Sequence, residues 1–313
     1  MPADTGVKAP AGIIDTHVHL VSADTARYPR RINASATHPW WAGGGHDAAA
    51  LRRAMAACGV GAAVAVQAVG VYGYDNSYVL DEIASPSGSM RLAGVVAVDM
   101  DADGATERII RLSASPGVVG VRLFAVAPGS SWVTTTKADE AFDAASTAGV
   151  ALVLTVFDHQ LPSLVTALAR YPALAVAVDH CAFAALDGAR IDIASPLREL
   201  EAMRHVRMKV SSHVLAQVPP PHAASALIDD LVSRFGPDRL VWGSDWPQTP
   251  LPGYAAHLEL AQGATAHLAQ EVRDRFMGSN AAAWLGPRFV NSVGAQKADL
   301  AGPGRGVDDD ENR

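Results

Sequence analysis

The chain has 313 residues, of which 49% are hydrophobic, and it carries a formal net charge of −7. That size and apolar content are enough for a large buried core, and the negative charge argues against nucleic acid or an anionic membrane as a partner. No apolar run reaches the roughly 18 residues of a membrane helix, the N-terminus lacks the layout of a signal peptide, and the two cysteines form no CxxC motif. We therefore expect a soluble, cytoplasmic protein without disulfides that acts on a small molecule, as a monomer or as a homo-oligomer.

Apolar runs typical of buried strands alternate along the chain with helical patterns. The predicted strands cover residues 12–20, 62–67, 92–98, 118–123, 150–156, 174–178, 206–210 and 239–243. The predicted helices cover residues 47–58, 75–84, 104–113, 137–148, 161–170, 196–204 and 223–235, with two more between 254 and 285. Near-continuous apolar strands separated by helices indicate parallel βα units that are covered on both faces. Eight such units predict an α/β fold, a (β/α)8 TIM barrel with extra C-terminal helices.

The flanks of the predicted barrel differ from it in composition. We place the barrel at residues 12–290, after a short N-terminal extension at residues 1–11. Residues 291–313 are small, polar and acidic and lack the apolar content to fold alone, so we expect a disordered tail. Within the barrel, residues 21–45 are a long polar and aromatic stretch without periodicity, which is either a cover over a pocket or an ordinary surface loop.

Histidines and carboxylates stand where several predicted strands end. Asp15, His17 and His19 alternate along the first strand, which predicts that they share one face. His180 follows the sixth strand, and Asp245 follows the eighth. Because the carboxyl ends of barrel strands form the mouth where active sites lie, we expect the histidines and Asp245 to converge there as the catalytic group. Imidazoles in such a group coordinate a metal or polarise a carbonyl, and a carboxylate acts as general base.

Further side chains at this mouth, or in the loop after the first strand, are candidates for substrate binding. They are Gln67, Arg122, Tyr28, Trp40, Trp246 and His213. Arg122 would clamp a carboxylate through its guanidinium, or it would form a structural ion pair inside the barrel. The aromatic residues would line the pocket, or they would serve packing.

Three motifs together resemble the amidohydrolase superfamily, in its amidohydrolase-2 branch. They are Asp15-x-His17-x-His19, Asp179-His180 and Trp242-Gly243-Ser244-Asp245-Trp246-Pro247. The resemblance spans residues 12–286 and is greatest to the lactonase group, which includes pyrone-dicarboxylate lactonase and the sugar lactonases. It implies hydrolytic opening of a lactone, in which Asp245 takes a proton from water and the histidines stabilise the oxyanion, directly or through a metal.

The chain departs from the superfamily pattern at one usual metal-ligand position. Metal-dependent members usually carry a histidine or a carboxylated lysine at the end of strand five, and residues 150–157 offer neither. His159 lies two residues further on. We therefore expect no required metal. The alternative is one divalent cation, with zinc as the first choice, held by His17, His19, His180 and Asp245.

The substrate and the reaction class leave alternatives open. Lactonases that bind dicarboxylates have arginines after the sixth and seventh strands, where this chain has apolar or weakly basic residues such as Phe183 and His213. This difference favours a neutral or singly charged lactone. The alternatives are a metal-dependent decarboxylase of an aromatic or unsaturated acid, a hydrolase of small amides or esters, and a binding protein without catalysis.

Overall fold

The computed structural model describes residues 12–31, 40–42, 44, 46–85, 91–126, 130–219 and 222–299, with side chains described as far as residue 292. Eight parallel strands form one sheet in sequence order. They are β1 (Ile14–Val18), β2 (Ala62–Val66), β3 (Arg91–Val98), β4 (Val118–Phe124), β5 (Ala151–Thr155), β6 (Val176–Val178), β7 (Val206–Ser211) and β8 (Leu240–Gly243). The sheet returns to its start, because the amide of His19 donates to the carbonyl of Trp246, just after β8, at 2.8 Å. The predicted (β/α)8 barrel is confirmed.

Helices surround this ring of strands. They are α1 (Ala48–Ala57), α2 (Val69–Tyr72), α3 (Ser77–Ala84), α4 (Ala105–Ser113), α5 (Lys137–Ala148), α6 (Leu161–Arg170), α7 (Ser212–Leu215), α8 (Ala224–Phe235), α9 (Tyr254–Thr265), α10 (Gln270–Asp274) and α11 (Asn280–Asp299), with 3₁₀ turns at Trp132–Thr134, Asp158–Gln160, Asp179–Phe183 and Pro196–Leu200 and a π turn at Arg275–Ser279. Both α5 and α6 begin and end where the sequence predicts them. None of the helices in the described ranges has the length and apolar character that crossing a membrane requires.

Two apolar clusters hold the barrel together. The inner cluster lies inside the ring of strands and includes Ile14 and Val153. The outer cluster lies between strands and helices and includes Val18. Trp284 and Phe289 of α11 belong to the inner cluster, so α11 covers the end of the ring at which the strands begin. The opposite end, where the strands finish, is left for polar side chains.

The segment between β6 and β7 differs from the helix predicted at residues 196–204. It forms a short hairpin, Leu186–Asp187 with Arg190–Ile191, and then a 3₁₀ turn that ends at Leu200. The buried guanidinium of Arg239 donates to three carbonyls between Leu200 and Met203. The backbone bonds beyond Leu200 join residues three apart, from the amide of Met203 to the carbonyl of Leu200 and from the amide of Val206 to the carbonyl of Met203. They form turns and no further α-helical turn, so the helix prediction is wrong beyond Leu200.

The C-terminal helix is longer than the sequence predicts. α11 has a kink at Gly286 and continues to Asp299, past residue 291, where we placed the start of the acidic tail. Residues 1–11, 32–39 and 300–313 lie outside the described residues. The N-terminal extension and the rest of the tail therefore stay predictions.

Candidate active site

A register shift in β1 sets the direction of its two histidines. The pairing of β1 with β2 shifts between Asp15 and Val18. As a result Ile14 belongs to the inner cluster, whereas Val18, four residues further on, belongs to the outer one. Strict alternation would have placed both on the same side of the strand. The shift separates Asp15 from His17 and His19, so the prediction that all three share a face is wrong.

The Asp15 carboxylate instead joins β1 to the segment after β8. Its Oδ1 accepts hydrogen bonds from the amides of His17 at 3.0 Å and Ser244 at 2.9 Å. Its Oδ2 accepts a hydrogen bond from the Tyr254 hydroxyl at 2.9 Å. Burial raises the pKa of Asp15 from 3.8 to about 6, although these donors act in the opposite direction. Asp15 therefore fixes the backbone of β1 relative to the segment after β8.

A close approach of two backbones brings Asp245 to the histidines. A Cβ at position 243 would lie 2.7 Å from the Cβ of His17, so glycine is required there. Asp245 has a left-handed backbone with φ of 57°, and its amide donates to the carbonyl of His17 at 2.8 Å. A non-glycine residue in that region costs about 1–2 kcal/mol, and such strain is typical of functional sites. Oδ1 of Asp245 lies 3.7 Å from Nε2 of His17 and 3.5 Å from Nε2 of His19.

The two carboxylate oxygens of Asp245 have different surroundings. Oδ2 accepts a hydrogen bond from the hydroxyl of Thr249 at 2.7 Å. Oδ1 is buried and has no hydrogen-bond partner among the residues that the structure describes. A buried polar atom without a partner costs free energy. Oδ1 is therefore the atom that is positioned to meet a water, a substrate or a cation.

His180 reaches the same group through an unusual turn. The residues from His180 to Phe183 all have left-handed backbones, with φ between 49° and 55°. This turn places the His180 ring 4.9 Å from that of His17 and the Phe183 ring 5.1 Å from that of His180. Nδ1 of His180 lies 2.7 Å from the hydroxyl of Ser211 at the end of β7. The predicted catalytic residues from β1, β6 and β8 are therefore brought together.

The charge state of this group follows from its burial. Burial lowers the pKa of His180 to about 4 and holds the pKa of His17 well below its ordinary value. For Asp245, burial favours the neutral form, but the neighbouring His180, His19 and His17 outweigh it and hold the pKa below the usual range of a carboxyl group. At neutral pH the site thus contains the carboxylate of Asp245 beside the neutral imidazoles of His17 and His180, which is the state that binds a cation or accepts a proton.

The spacing of these side chains fits a divalent cation. His17, His180 and Asp245 offer ligand atoms within 4.8 Å of one another, and Nε2 of His17 lies 3.2 Å from Nε2 of His19. Ligands bound at the usual zinc distances around a tetrahedral ion stand about 3.4 Å apart. The unpartnered Oδ1 of Asp245 supplies the anionic ligand. His159 is no part of the group, because its ring stacks on Phe157 at 5.6 Å.

A second carboxylate, that of Asp179, lies next to His17 and interacts with several hydrogen-bond donors. Its Oδ2 accepts hydrogen bonds from Nε of Arg122 at 3.0 Å and from the hydroxyl of Thr155 at 2.8 Å. Its Oδ1 lies 3.1 Å from Nζ of Lys209 and 3.2 Å from Nδ1 of His17. Although burial opposes ionisation, Lys209, His17 and Arg122 hold the pKa of Asp179 well below its ordinary value. Thr155 is the last residue of β5, so a hydroxyl that binds Asp179 stands where a metal ligand would be expected.

Sequence reasoning missed Lys209, although a signal was present. Lys209 lies in β7 between Met208 and Val210 and is fully buried. A lysine is almost never fully buried without a partner, so a lysine inside an apolar strand predicts a buried carboxylate nearby. Burial lowers the pKa of Lys209, and Asp179 opposes that shift.

Comparison with known proteins agrees with the motifs. The profile of the amidohydrolase family matches residues 14–286. The chain belongs to the amidohydrolase family. It is 30% identical over 239 residues to L-fucono-1,5-lactonase of Burkholderia ambifaria, an alignment that covers 74% of this chain and 79% of that protein. The family membership that the motifs predict is confirmed.

Solved structures of this family share the barrel. An amidohydrolase from Burkholderia multivorans with bound HEPES is 25% identical, covers 88% of this chain and 99% of its own, and superposes with a TM-score of 0.67. An amidohydrolase structure from the same organism with bound zinc is 24% identical. The match covers 88% of this chain and 99% of that one, and the two superpose with a TM-score of 0.66. A putative 2-pyrone-4,6-dicarboxylic acid hydrolase from Pseudomonas putida is 23% identical, with 88% and 98% coverage and a TM-score of 0.68. The last two show a common fold.

Two of the residues predicted to bind substrate lie beside the histidines of the candidate site. The ring of Trp40 is 5.7 Å from that of His19. The ring of His213, in α7, is 5.5 Å from that of His180 and 5.8 Å from that of Phe183. Aromatic rings thus flank the group from both sides.

The other four candidates have bonds or packing contacts with other parts of the barrel, and their role in substrate binding stays a prediction. Nε2 of Gln67 donates to the carbonyls of Gly73 and Asp75, so this amide holds a turn. Nε of Arg122 is bound to Asp179 and Thr155, which forms the ion pair that the sequence offered as one of two roles for this residue. The remaining two are aromatic residues whose rings contact other side chains of the barrel.

Tyr28 and Trp246 contact the outer layers of the barrel. The Tyr28 hydroxyl donates to Asp81 of α3 at 2.6 Å, and its ring lies 4.7 Å from that of Tyr78 in the same helix. The Trp246 ring lies 5.6 Å from that of His46 and 6.4 Å from that of Tyr254 in α9. Both rings have packing contacts, and their part in substrate binding stays a prediction.

Proposed function

We propose that this amidohydrolase hydrolyses a lactone that is neutral or carries a single negative charge. The observation that carries the proposal is Oδ1 of Asp245, which is buried, lacks a hydrogen-bond partner in the described part of the chain and faces Nε2 of His17 and His19. The relative named L-fucono-1,5-lactonase supports a hydrolase of carboxylic ester bonds that acts on a small molecule, as the sequence predicts.

Asp245 is placed to move the proton in this reaction. Its Oδ1 accepts a proton from water, whose oxygen then bonds to the lactone carbonyl carbon. The bond between that carbon and the ring oxygen breaks, and the departing alkoxide takes the proton back from Asp245. Thr249, bound to Oδ2, keeps Oδ1 turned towards the histidines.

The imidazoles have different capacities in this scheme. Nδ1 of His19 lies 2.9 Å from the carbonyl of Val66, which only accepts, so Nδ1 carries the proton and Nε2 presents a lone pair. In this tautomer Nε2 of His19 does not donate to an oxyanion, whereas Nε2 of His17 or His180 is able to donate in one tautomer. This lone pair, together with the carboxylate of Asp245, supports the second of the two cofactor expectations, a divalent cation. Such a cation would polarise the carbonyl and acidify the attacking water.

The charge of the substrate follows from the balance of charges around the site. The positive charges of Arg122 and Lys209 are matched by the negative charges of Asp179 and Asp245. The side chains of this group therefore carry no net positive charge of their own to hold a dianion. The aromatic rings of Trp40 and Phe183 favour a partly apolar ring instead.

A panel of substrates tests the proposal. The purified protein is assayed with neutral aldonolactones, monocarboxylated and dicarboxylated lactones and matched open-chain esters, each with added zinc and with a chelator. We expect turnover of a neutral or monoanionic lactone, little of the open esters, and loss of activity with chelator that zinc restores. Hydrolysis of the dicarboxylated lactone alone would contradict the substrate charge, and release of carbon dioxide from an aromatic acid without lactone turnover would contradict the reaction.

A further inference from the structure

The position of Lys209 suggests a role beyond charge balance. Nζ of Lys209, Oδ1 of Asp179 and Nδ1 of His17 form a triangle with sides of 3.1, 3.2 and 3.3 Å. All three side chains are fully buried. We propose that Lys209 and Asp179 stabilise opposite tautomers of His17, so that Lys209 is a positioning residue that decides how readily His17 offers Nε2 to a cation.

The two neighbours make incompatible demands on one nitrogen atom. A lysine ammonium only donates hydrogen bonds, and an aspartate carboxylate only accepts them. Nδ1 of a neutral histidine either carries a proton or presents a lone pair. Nδ1 therefore donates to Asp179 in one tautomer and accepts from Lys209 in the other. The remaining nitrogen, Nε2, presents a lone pair in the first tautomer and carries a proton in the second.

The environment of Nε2 selects between these tautomers. Nε2 of His17 lies 3.2 Å from Nε2 of His19, and the bond from Nδ1 of His19 to the carbonyl of Val66 makes that second atom an acceptor. In the protein without a cation, His17 therefore donates from Nε2 to His19 and accepts at Nδ1 from Lys209. A cation that binds Nε2 of both histidines requires the other tautomer, in which Nδ1 of His17 donates to Asp179.

Lys209 consequently opposes cation binding, and Asp179 supports it. The apparent affinity for a cation is reduced by the fraction of protein that is not in the competent tautomer. This inference concerns the imidazole itself, so its test does not depend on which substrate the enzyme turns over.

The first test uses the wild-type protein with ¹⁵N-labelled histidine. Zinc is removed with a chelator, and the nitrogen chemical shifts are recorded before and after zinc is added in steps, with His17→Gln to assign the resonances. We expect His17 to be protonated at Nε2 without zinc and at Nδ1 with zinc. A His17 that is protonated at Nδ1 in the zinc-free protein would overturn the inference.

The second test compares two variants that lose the same charge. Lys209→Met and Arg122→Met each remove one positive charge beside Asp179, but only Lys209 lies next to Nδ1 of His17. We expect zinc-free Lys209→Met to show His17 protonated at Nδ1 and to bind zinc about tenfold more tightly than Arg122→Met. Equal zinc affinity in the two variants, or an unchanged tautomer in Lys209→Met, would show that charge alone acts and would refute the role of Lys209. If Lys209→Met does not fold, the wild-type spectra still decide the question.

Discussion

Oδ2 of Asp245 accepts a hydrogen bond from the hydroxyl of Thr249, four residues further along the chain, at 2.7 Å. This bond uses one carboxylate oxygen and leaves Oδ1 facing the histidines, 3.5 Å from Nε2 of His19. The left-handed backbone of Asp245 provides the turn that makes both contacts possible at once. One oxygen of this side chain is therefore held in place, and the other faces the histidines.

Replacing Asp245 by asparagine tests its role as proton acceptor. The amide keeps the shape and an oxygen for Thr249 but does not accept a proton from water. We expect Asp245→Asn to fold normally and to lower kcat by about 1,000-fold or more, measured on the best lactone of the panel with circular dichroism as the check on folding. A kcat within tenfold of wild type would remove Asp245 from the mechanism.

Thr249→Val tests the orientation of the same carboxylate. Valine fills the same space but does not hold Oδ2, so Oδ1 loses its fixed direction. We expect kcat to fall about tenfold to a hundredfold, with little change in KM, because a misplaced catalytic group is costly even when binding is intact. The matched control is Thr265→Val in α9, whose hydroxyl bonds only within its own helix. Equal losses in the two variants would indicate a general loss of stability instead.

Asp179→Asn tests how much the barrel depends on its buried ion pairs. The change leaves the charges of Arg122 and Lys209 buried without a carboxylate, so we expect the free energy of unfolding to fall by about 3–5 kcal/mol. The comparison is Asp139→Asn, which removes the partner of Arg170 from a half-exposed pair and should cost less than about 1 kcal/mol. Denaturant unfolding of both variants measures the difference. Similar small losses would mean that the buried group relaxes or admits water.

Most of the fold and the centre of the site could be predicted because they follow from local patterns. Apolar runs alternating with helical patterns give the barrel, and the rule that barrel sites lie at strand ends brings His17, His180 and Asp245 together. The separation of Asp15 from the histidines could not be predicted, because the register shift in β1 depends on its pairing with β2. Lys209 was predictable in principle, since a lysine inside an apolar strand needs a buried partner.

The errors have a common physical cause, which is contact with residues distant in sequence. Arg239 binds three carbonyls within the helix predicted at residues 196–204, and these bonds depend on the barrel having closed. Gln67 and Trp246 follow strand ends, as the rule requires, and their side chains also contact a turn and α9, which the sequence does not indicate. Strand position indicates which residues reach the mouth, and the partners available there decide which of them face the substrate.

The buried carboxyl of Asp15 should make stability depend on pH in a direction unusual for an aspartate. Its pKa is raised from 3.8 to about 6 by burial, so between these values the folded protein holds a proton that the unfolded chain releases. Stability from this group is therefore present in full below about pH 4, falls as the pH rises to about 6, and is constant above that. The change across the window is about 3 kcal/mol.

Asp15→Asn isolates this contribution, because asparagine does not ionise and the other carboxyl groups titrate alike in both proteins. The free energy of unfolding is measured from pH 4 to pH 7 for wild type and variant. We expect the variant to gain stability relative to wild type by about 3 kcal/mol between pH 4 and pH 6, and the difference to stay level from there to pH 7. The new amide also changes the bonds to Ser244 and Tyr254, but that offset is the same at every pH. A difference that does not vary with pH would show that Asp15 is ionised throughout and that its three donors outweigh its burial.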